Sequence, residues 1–312
     1  MGPMIARRLL VSLPVLVGIL FLCFCLMQVA PADPALIIAG ADASPEIVAA
    51  IRLDLGLDRP LLIQFAEYIG RVARGDLGRS IISNKSVIEE LEATIGPTTE
   101  LMVGAMLLAV PLGLLLGTIA AVRRGTLLDR AIVALSVAGV SMPVFFVGLL
   151  LIQYVGYLWD LLPFTGRTGP VWDGGLPSLI LPCLTLGSVL IGPIARLTRT
   201  AVLEVLGADF VRTARAKGLR ESAVVIHHAL RNALIPVVTL VGLQAAFLLG
   251  GAVVTETMFS WPGVGRLAVG AIVSSDFPTA QGAIMILALA FLLINLSVDI
   301  LYVVLDPRVQ RT

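Results

Sequence analysis

The residues best suited to chemistry lie in one basic segment, which reads Ala-Asp-Phe-Val-Arg-Thr-Ala-Arg-Ala-Lys-Gly from Ala208 to Gly218. Leu203, Leu206, Phe210 and Ala214 recur at helical spacing, Arg212, Arg215 and Lys217 cluster beside them, and Gly218 stands where a helix would end. An aromatic ring among guanidinium groups is binding chemistry: Phe and Arg are the residue types that anchor interfaces. Two occupants fit a basic amphipathic helix of this kind, an anionic lipid surface and a groove on a protein partner. A second amphipathic run, Glu221 to Arg231, follows and leads directly into an apolar stretch. Two short helices joined rigidly to long apolar segments form a lever.

Bond-making chemistry has no support. His227 and His228 are adjacent, with no carboxylate or Cys at ligand spacing, so neither metal binding nor general-base catalysis follows from them. Cys23, Cys25 and Cys183 sit in apolar stretches, where they read as small packing residues. There is no Gly-x-x-x-x-Gly-Lys-Ser/Thr phosphate loop, so the chain is not an ATPase of that type, and no His-Glu-x-x-His occurs. We expect no catalytic residue, no metal and no cofactor in this chain.

The elements that must position the basic segment are six stretches free of Asp, Glu, Lys, Arg and His: Leu9–Ala30, Leu101–Val122, Ala131–Trp159, Gly174–Ala195, Asn232–Thr255 and Phe277–Val298. A helix needs roughly 20 apolar residues to cross the hydrocarbon core, and lipid offers the backbone no other partner than itself. The chain is 58% hydrophobic and 14% charged, with a mean hydropathy of +0.98. The fold class is therefore all-α: one polytopic membrane domain of six transmembrane helices within the lipid bilayer, its core the bundle itself.

Lys and Arg near the ends of the spans set the orientation. Arg7 and Arg8 precede the first, Arg123, Arg124 and Arg130 lie between the second and third, seven basic residues occupy 196–231, and Arg308 and Arg311 follow the sixth. Both termini and the 196–231 loop are expected in the cytosol. The first span is expected to be retained, since 22 uncharged residues exceed the usual signal-peptide core.

The loop 31–100 lies outside and carries eleven acidic against six basic residues. Pro31-Ala32-Asp33-Pro34 breaks the first helix, Ser44-Pro45-Glu46 opens another that stops at Gly56, Leu57-Asp58-Arg59-Pro60 is a turn, and Leu62, Phe65, Ala66 and Ile69 repeat at helical spacing up to Gly70. Such helices either cap the bundle or receive an external protein. Gly113 and Gly117 give a small-residue spacing that lets helices approach closely. Pro143, Pro177 and Pro182 mark kinks or helix ends. With charge-free spans, a translocation path would be lined by neutral polar groups. Ser136, Ser141, Gln244, Gln281 and Asn295 are the candidates, with hydrogen bonding between helices as the equal alternative.

Five motifs, in order on this frame, carry a family resemblance. The segment Asp209, Phe210, Arg212, Thr213, Ala214, Arg215, Lys217, Gly218 is followed by His228-Ala229-Leu230-Arg231-Asn232-Ala233-Leu234-Ile235-Pro236. The others are Leu55–Leu61 with Gln64, Gly75-Asp76-Leu77-Gly78 with Ser80, Thr255–Arg266, and Asn295-Leu296 with Asp299, Tyr302, Asp306, Pro307 and Arg308. Together they resemble permeases of the ABC importers that take up dipeptides, oligopeptides, glutathione and nickel chelates. Arg212 and Thr213 depart from the general importer pattern as this branch does. The resemblance implies a bacterial inner-membrane subunit working with a second homologous permease, two cytosolic ATPase subunits that hold ATP and Mg, and an external substrate-binding protein. No nucleic-acid partner is implied. It also implies that Asp209 to Gly218 seats in an ATPase cleft, that the binding protein touches the exterior at Asp58, Arg59, Trp261 and Asp276, and that the cargo is first of all short peptides. An ion-coupled secondary transporter, the rival class, would need ionisable groups at membrane depth.

Overall fold

The computed structural model describes residues 2–29, 33–40, 43–54 and 56–305. Pro31, Ala32, Leu55, Asp306, Pro307, Arg308 and Arg311 lie outside them. The described elements are helices, with one isolated bridge between Arg79 and Ser86. They run α1 (Gly2–Val29), α2 (Pro34–Ala39), α3 (Pro45–Asp54), α4 (Leu61–Val72), α5 (Val87–Val122), α6 (Leu127–Ser141) and α7 (Val144–Leu150). A π-helical segment (Leu151–Leu158) extends α7, and a 3-10 turn (Val171–Asp173) precedes α8 (Leu176–Leu206). Then come α9 (Asp209–Ala216), α10 (Glu221–Ala223), a second π segment (Val224–Leu230), α11 (Arg231–Met258), α12 (Val264–Val273) and α13 (Phe277–Leu305).

Among the described residues, four helices are long and apolar enough to cross a membrane: Val87–Val122, Leu176–Leu206, Glu221–Met258 and Phe277–Ile300. The pair Leu127–Ser141 and Val144–Leu158, bent by 105°, is a broken span or a re-entrant loop, and in α1 the apolar stretch Leu10–Cys25 is shorter. The stretch 131–159, expected as one span, is thus broken into two helices. Pro143 has no N–H to continue the ladder and pushes Met142 into extended backbone (φ −84°, ψ 127°). Other boundaries moved outward. α5 begins at Val87, not Leu101, and α8 runs on to Leu206, past Ala195. A charged residue ends the hydrophobic match to lipid but does not break a helix, so absence of charge underestimates helix length. Gly70 likewise stays inside α4, because Ile69 and Val72 pack on either side of it.

The chain divides into two compact units: Met1–Pro97 with Pro262–Leu292, and Thr98–Trp261 with Leu293–Thr312. In the first, Leu20 of α1, Tyr68 of α4 and Met285 of α13 form one apolar cluster, and Phe21 meets Phe65 edge-on at 5.0 Å. A second cluster joins Val87 and Leu91 to Val264, Ala268 and Ala283. Ser44 caps α3 as expected, accepting the Ile47 N–H at 3.5 Å.

The second unit is built around α8, the most buried of the spanning helices. Its Leu179, Cys183, Leu186, Leu190 and Ile194 pack on Leu101, Ala105 and Ala109 of α5 and on Val237, Leu248 and Ala252 of α11. The approach of α5 to α8 depends on glycine. A Cβ on Gly113 would lie 2.6 Å from Ile194, and one on Gly117 2.4 Å from the Ala195 carbonyl. The second obstacle is backbone and cannot turn aside. Gly117→Val is therefore expected to destabilise the unit by about 1–3 kcal/mol, the usual cost of overpacking, as a lowered unfolding temperature in detergent. Gly139→Ala in α6 of the same unit, with nothing within 4 Å of its Cβ, should not lower that temperature.

Candidate functional site

α9 follows a short break after α8. Ala208 is extended (φ −74°, ψ 151°), Asp209 sits in the first turn and Arg215 in the last, both favourable to the helix dipole. Gly218 closes the segment at φ +78°, a conformation that side chains resist. The expected apolar stripe splits in two. Leu203 packs in the cluster of Val202, Ala229 and Ala233, whereas the inner face of α9 is Val211, fully buried, with Ala214, set on Val224, Val205 and Leu206. Phe210 turns outward and is 47% exposed. The break at Gly207 resets the helical phase, so one periodicity cannot run through both helices.

The outer face of α9 carries Asp209, Phe210, Arg212, Thr213, Arg215 and Lys217, all exposed. Thr213 is tied locally, its hydroxyl donating to the Asp209 carbonyl at 3.0 Å. Arg215 donates two hydrogen bonds to Glu221, Nε to Oε2 at 3.1 Å and Nη2 to Oε1 at 2.6 Å, which clips α9 to α10. The bonds from Arg215 hold the Glu221 carboxyl below its ordinary 4.5. A carboxyl depressed in the folded state stabilises above its unfolded pKa, and that contribution fades as pH falls through the lower folded value. The clip should thus hold fully at neutral pH and open in acid, below the ordinary carboxylate pKa. Amide protection along α9, relative to the intrinsic exchange rate at each pH, should fall there, and Glu221→Gln should remove that pH dependence. The pair is exposed, so its contribution is small, about 0.2–1 kcal/mol. Immediately after it, the π segment Val224–Leu230 carries Val224, Val225 and Ala229 inward and joins α9's support to the spanning helix α11.

Sequence reasoning missed the side-chain pairs that brace this unit. Arg199 of α8 grips Asp129 of α6 with Nε to Oδ1 at 2.6 Å and Nη2 to Oδ2 at 2.9 Å, and the Gly125 N–H adds a third bond at 2.9 Å. At the far end of the same unit, Arg167 takes Glu100 through two bonds of 3.0 and 2.8 Å and stands 6.0 Å from the Trp261 ring centroid. Glu256 is fully buried near the end of α11 and accepts the Thr98 hydroxyl at 2.6 Å. A carboxylate therefore lies on a spanning helix, one residue beyond the stretch read as charge-free, because α11 continues to Met258. The spacing of Asp129 to Arg199 or of Thr98 to Glu256 gives no local signal of these pairs.

Among the outward candidates, Asp58 and Arg59 are exposed, and Arg59 pairs with Glu67. Trp261 and Asp276, expected on the contact surface, are corrected to interior positions. Trp261 is fully buried in the α5–α8–α11 core. Asp276 is 4% exposed and accepts the Ser80 hydroxyl at 2.5 Å and the Ile81 N–H at 3.1 Å. Of the path candidates, Ser136 is buried where α6 packs on α8, its carbonyl 2.5 Å from where a Cβ on Gly192 would sit. Ser141 is exposed and bonds back to the Val137 carbonyl at 3.0 Å, and Gln244, Gln281 and Asn295 are half-buried. Among the described residues, no group of three or more His, Cys, Asp or Glu could hold a metal ion.

The arrangement is an exposed aromatic and basic face on a short helix whose buried side packs against the end of α8 and the π segment. Two family profiles match the chain: "Binding-protein-dependent transport system inner membrane component" over residues 113–311, and the N-terminal part of such membrane components over residues 1–89. The chain is 42% identical to the dipeptide transport system permease protein DppB of Escherichia coli (strain K12), over 98% of both chains. It is also 42% identical to the glutathione transport system permease protein GsiC of Salmonella typhimurium (strain LT2), again over 98% of both. With both parts of the chain matched and this identity along its length, the protein belongs to the inner-membrane components of binding-protein-dependent transport systems, and is a permease subunit of an ABC importer.

Proposed function

We propose that this permease imports short peptides, forms half of the translocation path beside a second homologous permease, and takes its power stroke from two cytosolic ATPase subunits seated on α9. The observation that carries the reading is the outer face of α9. Phe210 stands in solvent outside the cluster that holds α9, and Arg212 beside it pairs with Asp209 at 3.4 Å, while Val211 and Ala214 anchor the same helix from beneath. An interface anchor is expected to look like this before its partner arrives. ATP and Mg belong to the partner subunits. Six crossings with both termini in the cytosol, counting α1 and the bent pair α6–α7 as one crossing each, put α9 on the ATPase side. An external binding protein selects the cargo and docks on the outer helices near Asp58 and Arg59.

Dipeptide and glutathione permeases are equally similar to this chain, which supports a small peptide-like solute as cargo and keeps glutathione as the alternative. The test is uptake of labelled dipeptide and glutathione by cells or vesicles carrying the whole transporter. Uptake should stop when ATP is depleted while ion gradients persist. Uptake that instead follows the ion gradient would return the chain to the secondary-transporter class.

A further inference from the structure

The first unit holds a cavity of about 1350 Å³ between α3, α4 and the start of α13. That exceeds the roughly 300–1,000 Å³ of pockets that hold a small ligand tightly, and suits a passage with loose occupancy. Tyr68 lines it, is 7% exposed, and its hydroxyl has no hydrogen-bond partner. A buried hydroxyl without a partner costs free energy, and such groups call for an explanation. Burial, with Cys23 adding and Arg71 opposing, pushes the phenol up to about 12, so it is a proton donor at physiological pH.

The charges around Tyr68 are of both signs and are not spent on one another. Arg52 pairs with Asp33 and Arg59 with Glu67, but Arg71, Arg74 and Arg79 line the cavity without an ion pair to any described residue. On the acidic side Asp54 is exposed and equally uncommitted, and Asp76 receives only the Gly78 N–H, at 2.9 Å. A guanidinium and a phenol offer a carboxylate several donors at once. A carboxylate pair nearby serves an ammonium group. A site for a lipid phosphate would need only the first set.

We propose that this cavity is a transient receiving site for a zwitterionic short peptide, the terminal carboxylate going to Tyr68 and Arg71 and the ammonium to Asp54 and Asp76. This rests on the peptide-importer reading and adds a step to it: the cargo pauses on the permease's outer helices, where Gln281 also lines the cavity.

The test is binding of trialanine to the full-length chain in phosphatidylcholine nanodiscs, by saturation-transfer NMR. Affinity should be weak, with Kd on the order of 1 mM. It should fall about tenfold for trialanine amide, and by a similar factor for Tyr68→Phe and Arg71→Gln. Tyr68→Phe keeps the ring and deletes the unmatched hydroxyl, so its unfolding temperature should hold or rise. Equal binding of the amide, undiminished binding by both variants, or displacement of trialanine by added phosphatidylglycerol would each overturn the site. ATP-driven uptake by the intact transporter separates the two readings. Uptake without cavity binding overturns the receiving site alone, while binding without any peptide uptake supports the site and overturns the cargo assignment.

Discussion

Phe210→Ala is expected to leave the permease folded and inserted while disconnecting ATP hydrolysis from uptake. Phe210 contributes nothing to the cluster that holds α9, which is Val211, Ala214 and Val224 with Val205 and Leu206. Its removal should therefore leave the unfolding temperature close to wild type. At a partner surface the effect is large: truncating an aromatic anchor often costs about 2 kcal/mol or more, roughly 30-fold in affinity. In the purified complex, uptake should fall at least tenfold while the ATPase subunits retain their basal hydrolysis. Val211→Ala is the contrasting variant. It opens a small cavity beneath α9 and should lower stability by about 1 kcal/mol with a much milder loss of uptake. Normal uptake by Phe210→Ala would remove the ring from the coupling interface.

The second large effect is expected from Arg199→Ala. The Asp129 side chain is 5% exposed, and its two oxygens are held by the Arg199 guanidinium and the Gly125 N–H. Removing the guanidinium leaves that carboxylate with the Gly125 N–H and without its charged partner. Arg199 keeps a quarter of its side chain in water, so solvent makes good part of the loss. Unfolding in detergent should still show a clear loss of stability. The double variant Asp129→Ala/Arg199→Ala should recover part of it, since it leaves no stranded charge. Simple additivity of the two single losses would mean that the pair does not act as a unit. α6 and α8 are also expected to lose their relative register, so coupling should weaken in parallel with stability.

The apolar spans were legible because lipid imposes a one-dimensional rule: a long enough run without charge must be helical. The turn at Gly218 and the capped start of α3 were legible for the same reason of locality, since a left-handed residue or a Ser cap acts within one turn. The bend at Pro143 was visible as a proline, but not as a 105° change of direction, which depends on what the two halves pack against. The helix ends were set too short because polar residues at the membrane edge remain helical once neighbouring helices support them.

The side of α9 that faces inward was not legible for a deeper reason. Periodicity shows that one face is apolar, yet Phe210 is as apolar as Val211, and only the packing of Val224 and Leu206 decides which of them is buried. The same holds for Trp261 and Asp276, whose residue types fit a contact surface and whose surroundings place them inside. The sequence by itself determined that this is a helical membrane permease and where its basic lever lies, because hydropathy, helix signals and motif order are properties of neighbours along the chain. Only the tertiary structure decided the pairs Asp129–Arg199, Glu100–Arg167 and Thr98–Glu256 and the unmatched hydroxyl of Tyr68. Those partners are brought together by helix packing across long stretches of chain, and no local pattern encodes such a meeting.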